Sequence, residues 1–323
     1  MLNKCRNKTL LALLSRPALL LAAAFASFAA DGAKAGEPSY GGRPLYADMQ
    51  VKPSQNPVRP GYPPQQAGPG PMGPHKPEGD WKVTVGAATI YKPAFTGSKD
   101  YQAVAFPDLK VEYKDRFFAS LFEGVGYNVV NTDSWRAGPI MKFDFGRSED
   151  DDNPFRIAGD KTKALRGLGD VDASVELGGF VEHGFGPFSA SLELRQGVGG
   201  HEGLIGETGL NYKGVANLLG KPVMYSFGPR ATFADSNYNE AYFGISQSQS
   251  AKSGLDRYSA GSGLVSYGIG AFAMMPIAKS VSLGAFGGYD RLSSEAADSP
   301  LIKERGDENQ FMGGLRVTYD FGF

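Results

Sequence analysis

The sequence predicts an all-β chain: an antiparallel up-and-down transmembrane β-barrel of ten to twelve strands, twelve preferred, preceded by a disordered Pro/Gly-rich tail. Three observations predict it. The last segment, 310–323, places Phe311, Leu315, Val317, Tyr319, Phe321 and Phe323 on one parity. Met312, Gly314, Arg316, Thr318, Asp320 and Gly322 take the other. Successive side chains of a strand point to opposite faces, and about 9–11 tilted residues cross a bilayer. The same two-faced pattern recurs from Trp81 onward with no convincing helix. Export features precede it: Lys4, Arg6 and Lys8, apolar runs at 10–14 and 18–30, and Ala33-Lys34-Ala35 as a cleavage site.

Residues 1–35 are therefore expected to be a Sec signal peptide, with the mature chain starting near Gly36. Pro17 interrupts the apolar run, and the apolar stretch after it is shorter than the roughly 20 residues of a spanning helix. Cys5 precedes the apolar core, so it is not a lipoprotein cysteine. With no other cysteine in the chain, disulfides, thiolate nucleophiles and Cys-based metal sites are excluded. A net charge of -1 gives no electrostatic case for nucleic acid. Residues 36–80 are rich in Pro, Gly and Gln, without apolar periodicity. They are expected to be a disordered periplasmic tail, partly polyproline II. It could serve as a spacer, as a docking tail gripped through Tyr40, Tyr46 and Tyr62, or as a lumen plug.

The barrel is expected over 81–323. Segment 81–91 sets Trp81, Val83, Val85, Ala87 and Tyr91 on one face; 103–113 comes after it, then 117–130, where both faces carry Phe. In 135–146, Trp135, Ala137, Pro139, Met141, Phe143 and Phe145 oppose Arg136, Lys142 and Asp144. Val171, Ala173, Val175, Leu177 and Val181 oppose Asp170, Asp172, Ser174, Glu176 and Glu182. After the turn 184–187, Phe188, Ala190, Leu192 and Leu194 oppose Ser189, Ser191, Glu193 and Arg195, completing a meander hairpin. Segments 206–213 and 223–233 come next, the latter with Arg230 inward. Segments 264–275 and 280–292 form a hairpin around Pro276, before the terminal strand with its inward Arg316. Connections 184–187 and 276–279 are short, whereas 147–169, 235–258 and 293–309 are long. Short periplasmic turns and long extracellular loops are the bacterial pattern.

These segments number eleven, while single-chain bacterial barrels have an even number. A twelfth at 241–246 would move 147–169 to the periplasm, so the missing strand is expected between 81 and 146. A soluble sandwich would not put Trp81, Tyr91, Tyr113, Trp135, Phe145, Phe188, Tyr267, Tyr289 and Phe323 near strand ends. Nor would it bury the inward charges. Arg136, Lys142, Asp144, Glu176, Glu193, Arg195, Arg230 and Arg316 are the candidate lumen-lining set. Mixed charge predicts weak ion selectivity, or lateral salt bridges that close the lumen.

Little else suggests chemistry. Of three histidines, His75 lies in the tail, His183 on an apolar parity, and His201 in G-V-G-G-H-E-G. His201-Glu202 is the one pair a hydrolase could use, but neighbours on an extended chain point apart, and a solvated loop histidine is expected. The aspartates at 150–152 are expected to be solvated rather than a calcium site. Gly197 to Gly200 and Gly313-Gly314 precede no helix N-terminus and read as bends and close-packed points rather than phosphate loops. No catalytic residue, metal or cofactor is expected.

Six short motifs resemble the MipA/OmpV family, the MltA-interacting and OmpV-like outer-membrane proteins, over 81–323. They are Y-K-P-A-F-T-G-S at 91–98, F-P-D-L-K-V-E-Y-K-D-R-F-F at 106–118 and G-P-I-M-K-F-D-F-G-R at 138–147. The others are Y-F-G-I-S-Q-S-Q-S-A-K-S-G-L at 242–255, A-A-D-S-P-L at 296–301 and the terminal Y-D-F-G-F. Phe95 stands where the family usually has Tyr, and the 36–80 insertion is unusual for it. The resemblance implies a non-enzymatic outer-membrane barrel that scaffolds a periplasmic lytic transglycosylase and a murein synthase. The alternatives are a narrow channel affecting permeability, or an adhesin acting through extracellular loops. Besides those proteins, outer-membrane lipid is the expected partner. Tyr242, Phe243, Gln247, Gln249 and Lys252 form the candidate recognition loop, which could equally fold over the barrel mouth.

Overall fold

The structure, a computed structural model, describes residues 79–323; the expected signal peptide and nearly all of the expected tail lie outside the described residues. The strands are β1 (Trp81–Pro93), β2 (Tyr101–Tyr113), β3 (Phe117–Ser120), β4 (Gly124–Tyr127), β5 (Val130–Asn131), β6 (Trp135–Asp144) and β7 (Arg156–Ala158). They continue with β8 (Ser174–Phe185), β9 (Phe188–Val198), β10 (Leu204–Leu218), β11 (Lys221–Ala234), β12 (Gly263–Pro276), β13 (Val281–Leu292) and β14 (Asn309–Gly322). All pairings are antiparallel, and β1 pairs with both β2 and β14, which closes the sheet into a barrel. β5 continues the line of β4 along β6, and β7 touches one end of β2. Fourteen segments less these two leave twelve staves.

The missing strand was inside 117–130, which is the hairpin β3–β4 rather than one strand. Gly124 turns the chain with φ 85°, and a Cβ there would collide with the Met141 carbonyl. Between Val125↔Met141 and Val130↔Ala137 the chain advances five residues against four on β6, a bulge. The tight turn and the bulge each break the parity. The alternative strand at 241–246 is not formed, because that stretch ends a helix.

Among the described residues, four helices correct the expectation of none from Trp81 onward: α1 (Ser236–Phe243), α2 (Gln247–Ser253), α3 (Ser294–Ala297) and α4 (Pro300–Arg305). Each is too short to show an apolar stripe. Local capping supports the first two. Asp235 accepts from the Tyr238 N–H at 3.0 Å. Ser246 and Gln249 form a reciprocal capping box.

Connections 94–100, 145–173, 199–203, 235–262 and 293–308 lie at one end of the barrel, the loop end; tight turns join the strands at the other. Outward Leu315 and Tyr319 are half exposed, while inward Thr318 is buried. At the turn end, His183 stacks on Trp135 at 4.0 Å, and Phe185, Phe188 and Tyr212 continue the aromatic belt. His183 thus sits where an amphipathic ring is expected. Strand β8 starts at Ser174 rather than 170: Asp170 lies in the preceding loop and accepts from the Glu149 N–H.

Candidate functional site: the cap over the barrel mouth

Three of the six motifs send residues to one apolar cluster. Phe95, Phe243, Ile245, Leu255, Ala296 and Leu301 are buried together with Leu165 and Leu168 from the 145–173 connection. This apolar cluster packs the loop-end connections and their helices α1–α4 together. Polar contacts tie its parts together. Ser299 Oγ donates to the Phe243 carbonyl at 2.7 Å, and Arg147 donates to the Tyr242 carbonyl at 2.6 Å. Arg305 donates to the Ala164 and Ser253 carbonyls.

Tyr242 and Phe243 therefore face inward, which corrects their reading as a recognition surface: Phe243 is 1% exposed. Gln249 donates to the Leu168 carbonyl at 2.6 Å, while Gln247 and Lys252 remain on the outer surface of α2.

Beneath the cap, the Tyr242 hydroxyl donates to Asp144 Oδ2 at 2.7 Å. Burial, then the Asp144 charge, push the Tyr242 hydroxyl above the ordinary tyrosine range. Burial does the same to Tyr238, and it pulls the Arg147 guanidinium down to about 10, still a cation at neutral pH.

His201 is not solvated. It is 3% exposed, beside Tyr238 at 5.0 Å, and Gly197 lacks the Cβ that would occupy its ring's place. Its partner is Glu176, not Glu202: Nε2 lies 3.1 Å from Glu176 Oε1. Nδ1 accepts from the Gly203 N–H at 3.0 Å, which places the ring proton on Nε2. Both nitrogens are engaged, and Ser174 Oγ meets the His201 backbone N–H rather than its ring. No Ser–His relay is formed here.

Asp144, Glu176 and His201 offer atoms within 4.8 Å of one another, a spacing that a metal ion could bridge. Each is already committed. Asp144 accepts from Gly146 N–H at 2.7 Å and from Tyr242, and Glu176 Oε2 accepts from Arg195 Nε at 2.6 Å. A metal on His201 Nε2 would also need the tautomer that Gly203 opposes. The cluster fits a hydrogen-bonded floor for the cap better than a ligand set. Nor is the 150–152 run uniformly solvated: Asp151 is buried, accepting from Thr162 N–H at 3.0 Å and pairing with Arg156, whereas Asp152 is exposed.

The eight candidate lumen residues lie on the inner parity, and seven of them are ion-paired across strands. Arg195 joins Glu176, Glu193 and Glu207, and Lys142 lies 2.6 Å from Glu193. Arg136 meets Glu182 at 3.2 Å, Arg230 donates to Asp290 at 2.8 Å, and Arg316 lies 2.8 Å from Asp108. Asp144, the eighth, is held by Tyr242. Charges of both signs are thus tied laterally.

Residues 85–321 match the family model described as MltA-interacting protein MipA. YiaT of Escherichia coli (strain K12) is 40% identical over 83 residues, 26% of this chain and 33% of that relative's length. The outer membrane protein OmpV of Vibrio cholerae is 25% identical over 251 residues, 76% of this chain and 88% of that protein. Among solved structures, OmpT, an outer membrane protein of Vibrio cholerae, overlays at TM-score 0.31 and 10% identity. That overlay takes in 75% of this chain and 97% of the other, and is too loose to carry function.

Proposed function

Since the chain belongs to the MltA-interacting protein MipA family, we propose that it is a non-enzymatic outer-membrane barrel scaffolding periplasmic murein-processing proteins. The observation that carries this reading is the packed cap at the loop end, with the inner charges paired beneath it. A barrel closed by a packed cap, with its inner charges paired to one another, offers its surfaces to partners rather than a path to solutes. The usual bacterial arrangement makes the loop end extracellular and the turn end periplasmic. Trp81 and Phe323 exchange backbone hydrogen bonds at 3.2 Å. The chain preceding Trp81 therefore leaves from the turn end, which under this reading is the periplasmic one.

A lytic transglycosylase is the partner class the family name points to, and a murein synthase would be the second. Affinity capture of a purified periplasmic lytic transglycosylase tests the reading. The full chain is expected to retain it, and deletion of 37–80 to reduce retention at least fivefold. Equal retention would move the docking surface to the turns. No retention by either protein would overturn the scaffold.

A further inference from the structure

Behind the short strands β3 and β4, of 4 residues each, lies a cavity of about 160 Å³ whose lining is of two kinds. Phe118, Phe122, Ile140 and Phe180 supply apolar surface, and Phe118 meets Phe180 edge-on at 5.9 Å. Glu112, Glu123 and Asn128 supply acceptor oxygens.

Asn128 is the most informative of these. It is 3% exposed, and its Nδ2 donates to the Asp115 carbonyl at 2.8 Å. That bond sets which way the amide points, since the reverse orientation would put two oxygens against each other. Asn128 Oδ1 is then buried without a hydrogen-bond partner in the protein. Buried polar groups are nearly always satisfied, so this oxygen calls for a donor. The neighbouring carboxylates say which kind. Glu112 and Glu123 share one ammonium, that of Lys110, at 3.1 and 2.9 Å. The cations of the lining each have a carboxylate: Arg136 meets Glu182 at 3.2 Å, and Lys142 meets Glu193 at 2.6 Å. Acceptors are in surplus around Asn128, which favours a charged donor and disfavours an anion.

We propose that this cavity is a binding site for a small primary ammonium compound with a hydrocarbon body of about benzene size, which a cavity of roughly 150 Å³ can hold. An ammonium has three N–H donors, which match Asn128 Oδ1 and the Glu112 and Glu123 carboxylates. The body rests against Phe118, Ile140 and Phe180, and the phenyl faces attract the charge as well. The Asn128 N–H donates to the Arg116 carbonyl at 2.7 Å, beside the β2–β3 turn. The site therefore lies toward the turn end, away from the cap. This inference stands apart from the scaffold reading.

Titration calorimetry tests it on the full chain in phospholipid nanodiscs, with protein-free nanodiscs as the blank. Benzylammonium is the probe, and benzyl alcohol and benzoate are its neutral and anionic counterparts. Benzylammonium is expected to bind saturably, at least tenfold tighter than either. Asn128→Leu keeps the branched shape and removes the acceptor, and is expected to weaken benzylammonium binding at least tenfold. Glu123→Gln is expected to weaken it at least threefold while leaving benzyl alcohol unchanged. Glu123 lies in the turn between β3 and β4, so this variant decides if Asn128→Leu does not insert. Benzylammonium bound no tighter than benzyl alcohol, or bound equally by the wild type and the inserted variants, overturns the site.

Discussion

Replacing Phe243 by Ala is expected to release the cap while leaving the barrel intact. Phe243 is 1% exposed at the centre of the apolar cluster, and truncating a buried Phe typically costs about 3–5 kcal/mol. The cap is a small unit of loops and short helices outside the strand ladder, and such units open locally at free energies well below that of global unfolding. A loss of that size should consume most of its local stability. Amide exchange in 235–262 should therefore accelerate by about two to three orders of magnitude, given roughly 1.4 kcal/mol per factor of ten. β12 to β14 should keep their protection. Equal loss of protection in those strands would mean that cap and barrel unfold as one unit. Phe243→Leu, which keeps most of the apolar volume, should lie between the two proteins.

The second large effect is expected at Arg195. Its side chain is 4% exposed and pairs with Glu176, Glu193 and Glu207 together. Removing one partner of a buried pair leaves uncompensated charge and costs about 3–5 kcal/mol, while replacing the whole group with neutral residues can be nearly free. Arg195→Ala should therefore lower the urea midpoint of vesicle-embedded protein by an amount equivalent to that range. Arg195→Met combined with Glu176→Gln and Glu207→Gln should recover most of it. A shift below about 1 kcal/mol for the single variant would show that water in the lumen screens these charges. That in turn would argue against a dry, closed interior.

The outcome at Arg195 also marks what a sequence can reveal in such a fold. Inward charges such as Arg136, Lys142 and Arg195 were legible because strand parity is local. Their partners were not, because pairing depends on register between strands. His201 and Glu176 are 25 residues apart, and β8, β9 and the 199–203 connection bring them together. The β3–β4 hairpin was hidden for a different reason. Phe117, Phe118 and Phe122 place aromatics on both parities, and the bulge before β5 shifts the phase again. The helices of the cap were hidden by length, since four to eight residues cannot show a helical stripe. One signal was nevertheless present: Ser246 and Gln249 stand three apart, the spacing of a capping box. The motifs at 91–98, 242–255 and 296–301 carried the family resemblance without showing that they pack on one another. Their common purpose is visible once Phe95, Phe243 and Leu301 share a core.

The central claim is that the barrel is sealed and acts through its surfaces, and planar-bilayer recording of the purified full chain tests it most directly. The wild type should show no conductance steps, and Phe243→Ala should show them in the same bilayers. Regular steps from the wild type, unchanged by Phe243→Ala, would contradict the sealed barrel and favour a channel.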